Sequence, residues 1–450
     1  GTYVKAPDQS HLDVGDKAND VVRIDATELR CQVVGEGANL GVTQAGRIAF
    51  ARAGGRIDTD AIDNSAGVDT SDHEVNIKIL AAAAERSGAL KPGERDALLQ
   101  SLTPEVAAHV LAHNHDQTLA LSLLERSAPQ DLDAHARFMA ELVAAGRLDR
   151  AVEGLPGPLA LADLAKAGKG LTRPELAVLL AYGKLELSAD ILASPAPDDA
   201  FFVGALERYF PVPLRRFRDE MQHHRLRREI IATSLAGAIV DTCGPTFASR
   251  VRAASGCDTQ GLVTAFEAAW RVFRLDEIWA QITALDADPV AAGGQLALYE
   301  EASAALMGQT YWLARHMVKD PAGVQALIDA YQPTADALRQ EGLAVLSPLE
   351  RSLAQAGVDR SIAVGAPPDL AARVALLRPL LALSDVADLA QGAGCAVLPT
   401  ARLYHQTGAA FAFDRLRAAA AGFLAGDIYQ RQAARQIVEG LLRDQALLTA

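Results

Sequence analysis

Beyond Ser71 the sequence offers almost no apolar–polar alternation of the kind a half-buried strand needs, whereas helix-start signals keep recurring. This asymmetry limits the chain to a mainly helical body, with β-type patterning confined to its first part. Thr103-Pro104-Glu105 and Thr172-Arg173-Pro174-Glu175 each set a hydroxyl and a proline ahead of apolar residues at helical spacing. Their similarity has no fixed period behind it, so it reads as shared capping chemistry rather than a repeat. Leu226, Ile230, Ile231, Leu235 and Ile239 form one apolar stripe, and Phe266, Trp270 and Phe273 another; both read as core-facing sides of helices. Residues 154–170 and 194–197, rich in Gly and Pro, read as loops.

The first part is patterned differently. Val21-Val22-Arg23-Ile24 and Cys31-Gln32-Val33-Val34 read as short strands, residues 43–53 as a helix stopped by Gly54-Gly55, and residues 57–62 as another strand. Strand, helix, strand is the order of an α/β unit. Ser71-Asp72-His73-Glu74 has the spacing of a capping box, so a helix is expected to start there.

With 450 residues, half of them apolar, the chain can bury a large core and is expected to form two or more domains. Its net charge of -13, from 43 Lys plus Arg against 56 Asp plus Glu, argues against nucleic acid as a partner. Cys31, Cys243, Cys257 and Cys395 are scattered and form no CxxC pair, a pattern that suits a reducing compartment. No apolar run approaches the roughly 18–20 residues needed to cross a bilayer. The start Gly-Thr-Tyr-Val-Lys shows neither an initiator Met nor a secretory signal, which reads as a clipped or excised beginning.

Residues that could carry chemistry concentrate near the start. Gly35-Glu36-Gly37-Ala38-Asn39-Leu40-Gly41 follows a strand pattern and precedes a helix pattern, as a dinucleotide-binding turn does, and Asp58 stands about where a ribose-binding acid is expected. The spacing is imperfect because Leu40 occupies the position of the third glycine; a purely structural turn is the other reading. His109, His113 and His115 suggest a metal, but no glutamate follows the first histidine in the His-Glu-x-x-His manner. They read as helix-surface histidines, and no metal site is expected. The arginines between Arg215 and Arg228 are interleaved with Asp219, Glu220 and Glu229 and read as a salt-bridged face.

Taken whole, residues 33–43 together with Asp63-Asn64-Ser65-Ala66-Gly67-Val68-Asp69-Thr70-Ser71 resemble the glutamate dehydrogenases. The following Asp-His-Glu-Val-Asn-Ile-Lys is similar to the large NAD-specific branch, as are residues 171–182 and 224–233. The resemblance implies a Rossmann-like α/β cofactor-domain remnant over residues 1–84, then a predominantly α-helical C-terminal domain over residues 85–450, as one body or as two helical subdomains. It implies NAD as cofactor, with Gly37, Ala38, Asn39 and Asn64 on the cofactor side, Asn39 and Asn64 near the nicotinamide ribose. It implies Val68 and Ser71 on the substrate side, Ser71 contacting the side-chain carboxylate of glutamate; the alternative for Ser71 is that it only caps its helix. The implied reaction converts L-glutamate to 2-oxoglutarate and ammonia, in a cytoplasmic homo-oligomer. The family's catalytic lysine and aspartate match nothing in this chain, so no catalytic residue is assigned and the chain alone is expected to be inactive. A non-enzymatic helical scaffold that binds other proteins is the rival reading.

Overall fold

The computed structural model describes residues 1–287, 292–423 and 428–450, and the chain divides into two compact units, Gly1–Arg250 and Val251–Ala450.

The expected Rossmann-like α/β layer is not there. Among the described residues the only strands are Val4–Lys5 and Ile24–Asp25, two residues each, paired in parallel. Two single parallel bridges, Val4 to Val42 and Val33 to Arg56, complete the β structure. Parallel sheets persist where both faces are covered, but here the apolar residues that suggested strands lie open: Val21 is 97 % exposed, Val22 59 % and Val33 66 %. The expected strand over residues 57–62 breaks up likewise. Ile57 and Ile62 are both buried, but Asp60–Asp63 is a short helix. The chain is predominantly helical, and what the extended segments enclose is a small cluster of Val4, Ala26, Val42, Phe50 and Ile57.

The helix closing this cluster, Gln44–Arg52, forms as its sequence dictates: the Thr43 hydroxyl accepts from the Gly46 amide, and Gly54 follows with φ of 96°. The next helix does not. It runs Ser65–Ser87, starting at Asn64, so Ser71 and Glu74 lie inside it and form no capping box. It packs beside the 42-residue helix Thr103–Ala144, which in turn packs on Arg173–Ala193 and Arg227–Cys243. Arg173–Ala193 starts as its sequence indicates, on a Thr172–Glu175 capping box with Pro174 in the first turn. Leu176, Leu179, Leu180, Leu187 and Ile191 are all nearly inaccessible. At about 1.5–3 kcal/mol for each buried aliphatic side chain, this helix is a principal source of the unit's stability. The stripe at Ile230, Ile231, Leu235 and Ile239 is buried as expected, with Leu226 half-buried just ahead of the helix. The stretch read as loop over residues 154–170 contains a short helix, Pro158–Lys166, its proline set in the first turn.

The second unit is built around Thr259–Val272, where Asp258 accepts from the Gly261 amide and burial extends to nearly every side of the helix. Helices Ala292–Met317 and Val324–Glu341 pack against it. Phe266 and Phe273 are buried, while half-buried Trp270 continues an aromatic row to Trp279 and Tyr299, with ring centroids 5.6 and 4.7 Å apart. A partly buried polar knot ties the later helices: Glu350 lies 2.8 Å from His405 Nδ1 and 3.0 Å from Arg417 Nη2. Among the described residues no single helix is long and apolar enough to cross a membrane. The four cysteines are unpaired.

Candidate functional site

The glycine turn over residues 35–41 is fixed from beneath by carboxylates. Glu36 is buried and accepts from the Val42 amide at 2.9 Å and from Arg47 Nη2 at 3.0 Å, with Arg47 Nε on its other oxygen. Arg47 also lies 3.0 Å from Asp60, whose second oxygen accepts from the Leu40 amide at 2.8 Å. Asp63 accepts from the Glu36 amide at 2.9 Å. Burial, with Asp58 and Glu36 close by, pushes the Asp63 carboxyl up to about 6, although the Glu36 amide opposes this. Leu40, standing where a dinucleotide-binding turn would have glycine, adopts φ of 59°. The tip, Gly37, Ala38, Asn39 and Leu40, faces solvent on this tied-down base.

Asn64 ends the short helix Asp60–Asp63 and precedes Ser65–Ser87, and its Nδ2 donates to Asn39 Oδ1 at 2.8 Å. A Cβ at Gly67 would lie 3.1 Å from Asn64 Oδ1, so glycine leaves room for this side chain over the helix start. Asn64, Val68 and Ser71 recur at spacings of four and three, which places them on one helix face. Val68 is 72 % exposed and Ser71 is exposed too. The structure thus joins Asn39 to Asn64 and sets Val68 and Ser71 along the same open edge.

Two local readings change. Ser71 caps nothing: it lies in the second turn, and its hydroxyl donates to the Val68 carbonyl at 2.7 Å. The unpaired amides and positive dipole end, which attract anions, belong to the first turn at Ser65 to Val68. Asp58 is no ribose-facing acid; it is buried and ion-paired with Arg173. Arg173 further donates to Ser122 Oγ and to the Thr118 carbonyl, each at 3.0 Å, so it clamps the early segment to the long helix. Sequence reading saw a helix start in Thr172-Arg173-Pro174-Glu175 and missed this clamp, whose partners lie 51 to 115 positions away.

The histidines also fall differently. His113, exposed on Thr103–Ala144, holds Asp69 at 2.8 Å through Nδ1, and this contact raises its basicity while burial opposes it. His73, fully buried on Ser65–Ser87, stacks on Tyr209 with centroids 4.4 Å apart. Burial pushes the His73 pKa down, partly offset by Asp69.

Comparison with known proteins identifies the family of the chain. The family described as bacterial NAD-glutamate dehydrogenase, catalytic domain, matches residues 1–124, which include the whole asparagine–serine edge. The family described as glutamate dehydrogenase, C-terminal, matches residues 168–450, more than half of the chain. The NAD-specific glutamate dehydrogenase of Halomonas elongata is 37 % identical over 100 % of this chain and 28 % of its own length. That of Pseudomonas aeruginosa is 39 % identical over 91 % of this chain and 25 % of its own length. The Mycobacterium tuberculosis protein of the same name is 41 % identical over 83 % of this chain and 23 % of its own length. The chain thus spans about a quarter of the length of these relatives. It belongs to the bacterial NAD-specific glutamate dehydrogenase family.

Proposed function

We propose that this chain supplies one wall of the cofactor and substrate site of an NAD-dependent glutamate dehydrogenase. In that reaction hydride leaves the α-carbon of L-glutamate for NAD, and water converts the resulting imine to 2-oxoglutarate and ammonia. The observation that carries the reading is the edge formed by the Asn39–Asn64 hydrogen bond and by Val68 and Ser71 on one helix face, within the span matched by a catalytic-domain family. Gly37, Ala38, Asn39 and Asn64 form its cofactor side, and Val68 and Ser71 its substrate side.

The arrangement suits those roles. Paired primary amides offer both donors and acceptors to ribose hydroxyls. The first-turn amides of Ser65–Ser87 favour an anionic group. The Ser71 hydroxyl, now bonded only within its own turn, reaches a carboxylate by one side-chain rotation. The general base and the cationic group that the chemistry requires come from elsewhere in the enzyme. Residues 1–84 act as the end of the catalytic domain. The helical residues 85–450, which span parts of both compact units, support assembly of a cytoplasmic homo-oligomer.

The test is glutamate-dependent NAD reduction by the full-length enzyme carrying Ser71→Ala. Loss of a hydrogen bond to a charged group costs about 1.5–3 kcal/mol, so kcat/KM for glutamate is expected to fall roughly 10- to 100-fold with the KM for NAD unchanged. Unchanged glutamate kinetics would remove Ser71 from the substrate side.

A further inference from the structure

We propose that Asp69, His73 and His113 form a divalent transition-metal site, of the zinc class, that pins helix Ser65–Ser87 to helix Thr103–Ala144. Asp69 and His73 lie one turn apart on the first helix, and His113 reaches them from the second. Asp69 Oδ2 is 2.8 Å from His113 Nδ1, Asp69 Oδ1 is 3.7 Å from His73 Nε2, and the ligating atoms of all three residues lie within 4.8 Å of one another. A carboxylate and two imidazoles make a donor set that zinc accepts, leaving a fourth position for water or another ligand.

The second observation is His73 itself. Its side chain is wholly inaccessible, yet neither Nδ1 nor Nε2 has a hydrogen-bond partner. A buried polar atom left unsatisfied is destabilising and calls for an explanation. A metal accepts the lone pair of the neutral ring, and Asp69 compensates its charge. Tyr209 stacks on His73 and is itself held by Asp72 Oδ2 at 2.7 Å and Asn76 Nδ2 at 2.8 Å, so the plane of the His73 ring is fixed by stacking. On the open side His113 is half exposed and Asp69 22 % exposed, which gives an ion a way in and lets both ligands close on it. The His-x-x-x-His spacing at 109 and 113 is not the binding pair; the inner histidine comes from the neighbouring helix.

A metal held here touches neither the substrate nor the cofactor side proposed above, so its binding is measured without turnover. Full-length protein freed of metal by chelation is titrated with Zn²⁺ alone by calorimetry, and with Co²⁺ while its visible ligand-field absorption is followed. One saturable Zn²⁺ per chain is expected, with Co²⁺ bands of a four-coordinate site. His113→Gln, at a half-exposed position that leaves the core intact, is expected to weaken Zn²⁺ binding at least 100-fold, while His115→Gln on the same helix leaves it unchanged. Absence of saturable binding in the wild type, or equal affinities in the two variants, would overturn the proposal and reduce the cluster to a His113–Asp69 pair beside a neutral ring.

Discussion

Replacing Arg47 by alanine tests how the glycine turn is held. The side chains of Arg47 and Glu36 are only 5 % and 3 % exposed, and both guanidinium contacts to Glu36 would vanish together with the one to Asp60. Glu36 would keep only the Val42 amide as donor while still carrying a charge in the interior. Removing one partner of a buried ion pair costs about 3–5 kcal/mol, chiefly for the stranded charge. For a fold whose net stability is about 5–15 kcal/mol, that is a large share. The penalty should fall mostly on Glu36, so Arg47→Met combined with Glu36→Gln is expected to recover about 2 kcal/mol or more relative to the sum of the single changes. Urea unfolding followed by circular dichroism reads it as a midpoint shift of about 1–2 M at constant slope. Hydrogen exchange at the Leu40 and Val42 amides locates the loss in the turn. A cost under about 1 kcal/mol for Arg47→Ala, or strict additivity in the double variant, would refute the reasoning.

Two further predictions concern stability. Because Asp63 is held at about 6, the folded state binds its proton more tightly than the unfolded chain; its contribution is full below about pH 4 and lost as pH rises through 6. Asp63→Asn, whose amide oxygen can still accept from Glu36, should flatten that part of the stability–pH profile and add about 1 kcal/mol at pH 8, discounted for the half-exposed site; a parallel profile would contradict this. In an open helix Gly→Ala gains about 1 kcal/mol, but a Cβ at Gly183 would sit 2.8 Å from Pro245 Cα and Cβ. Gly183→Ala should therefore cost about 1–3 kcal/mol, seen as a lower melting temperature; a rise would show that the contact yields.

Local signals were legible where a helix start is written in adjacent residues. Thr43 before Gln44–Arg52 and the Thr172–Glu175 box before Arg173–Ala193 formed as their sequences indicate. The same logic failed at Ser71, because a Ser-x-x-Glu spacing also occurs inside helices, and the true start at Ser65 carries no side-chain cap to announce it. Thr103 is similar: the helix begins there, but its hydroxyl donates back to the Gln100 carbonyl instead of capping. The β reading failed because Val21, Val22 and Val33 match strand periodicity yet gain no second layer, and periodicity does not report whether partners exist. Of the site, the sequence placed Asn64, Val68 and Ser71 in one stretch, and helical geometry then aligned them. The Arg173–Asp58 clamp and the approach of His113 to His73 depend on packing between distant segments and leave no mark in local spacing.

The most direct measurement is NADH binding to the full-length enzyme, followed by nicotinamide fluorescence, with Asn64→Ala compared with wild type. Truncating this amide removes its bond to Asn39 and a polar group on the proposed cofactor side, so the dissociation constant is expected to rise about tenfold while the unfolding transition moves little. An unaltered NADH affinity in a folded Asn64→Ala enzyme would mean that this edge does not face the cofactor.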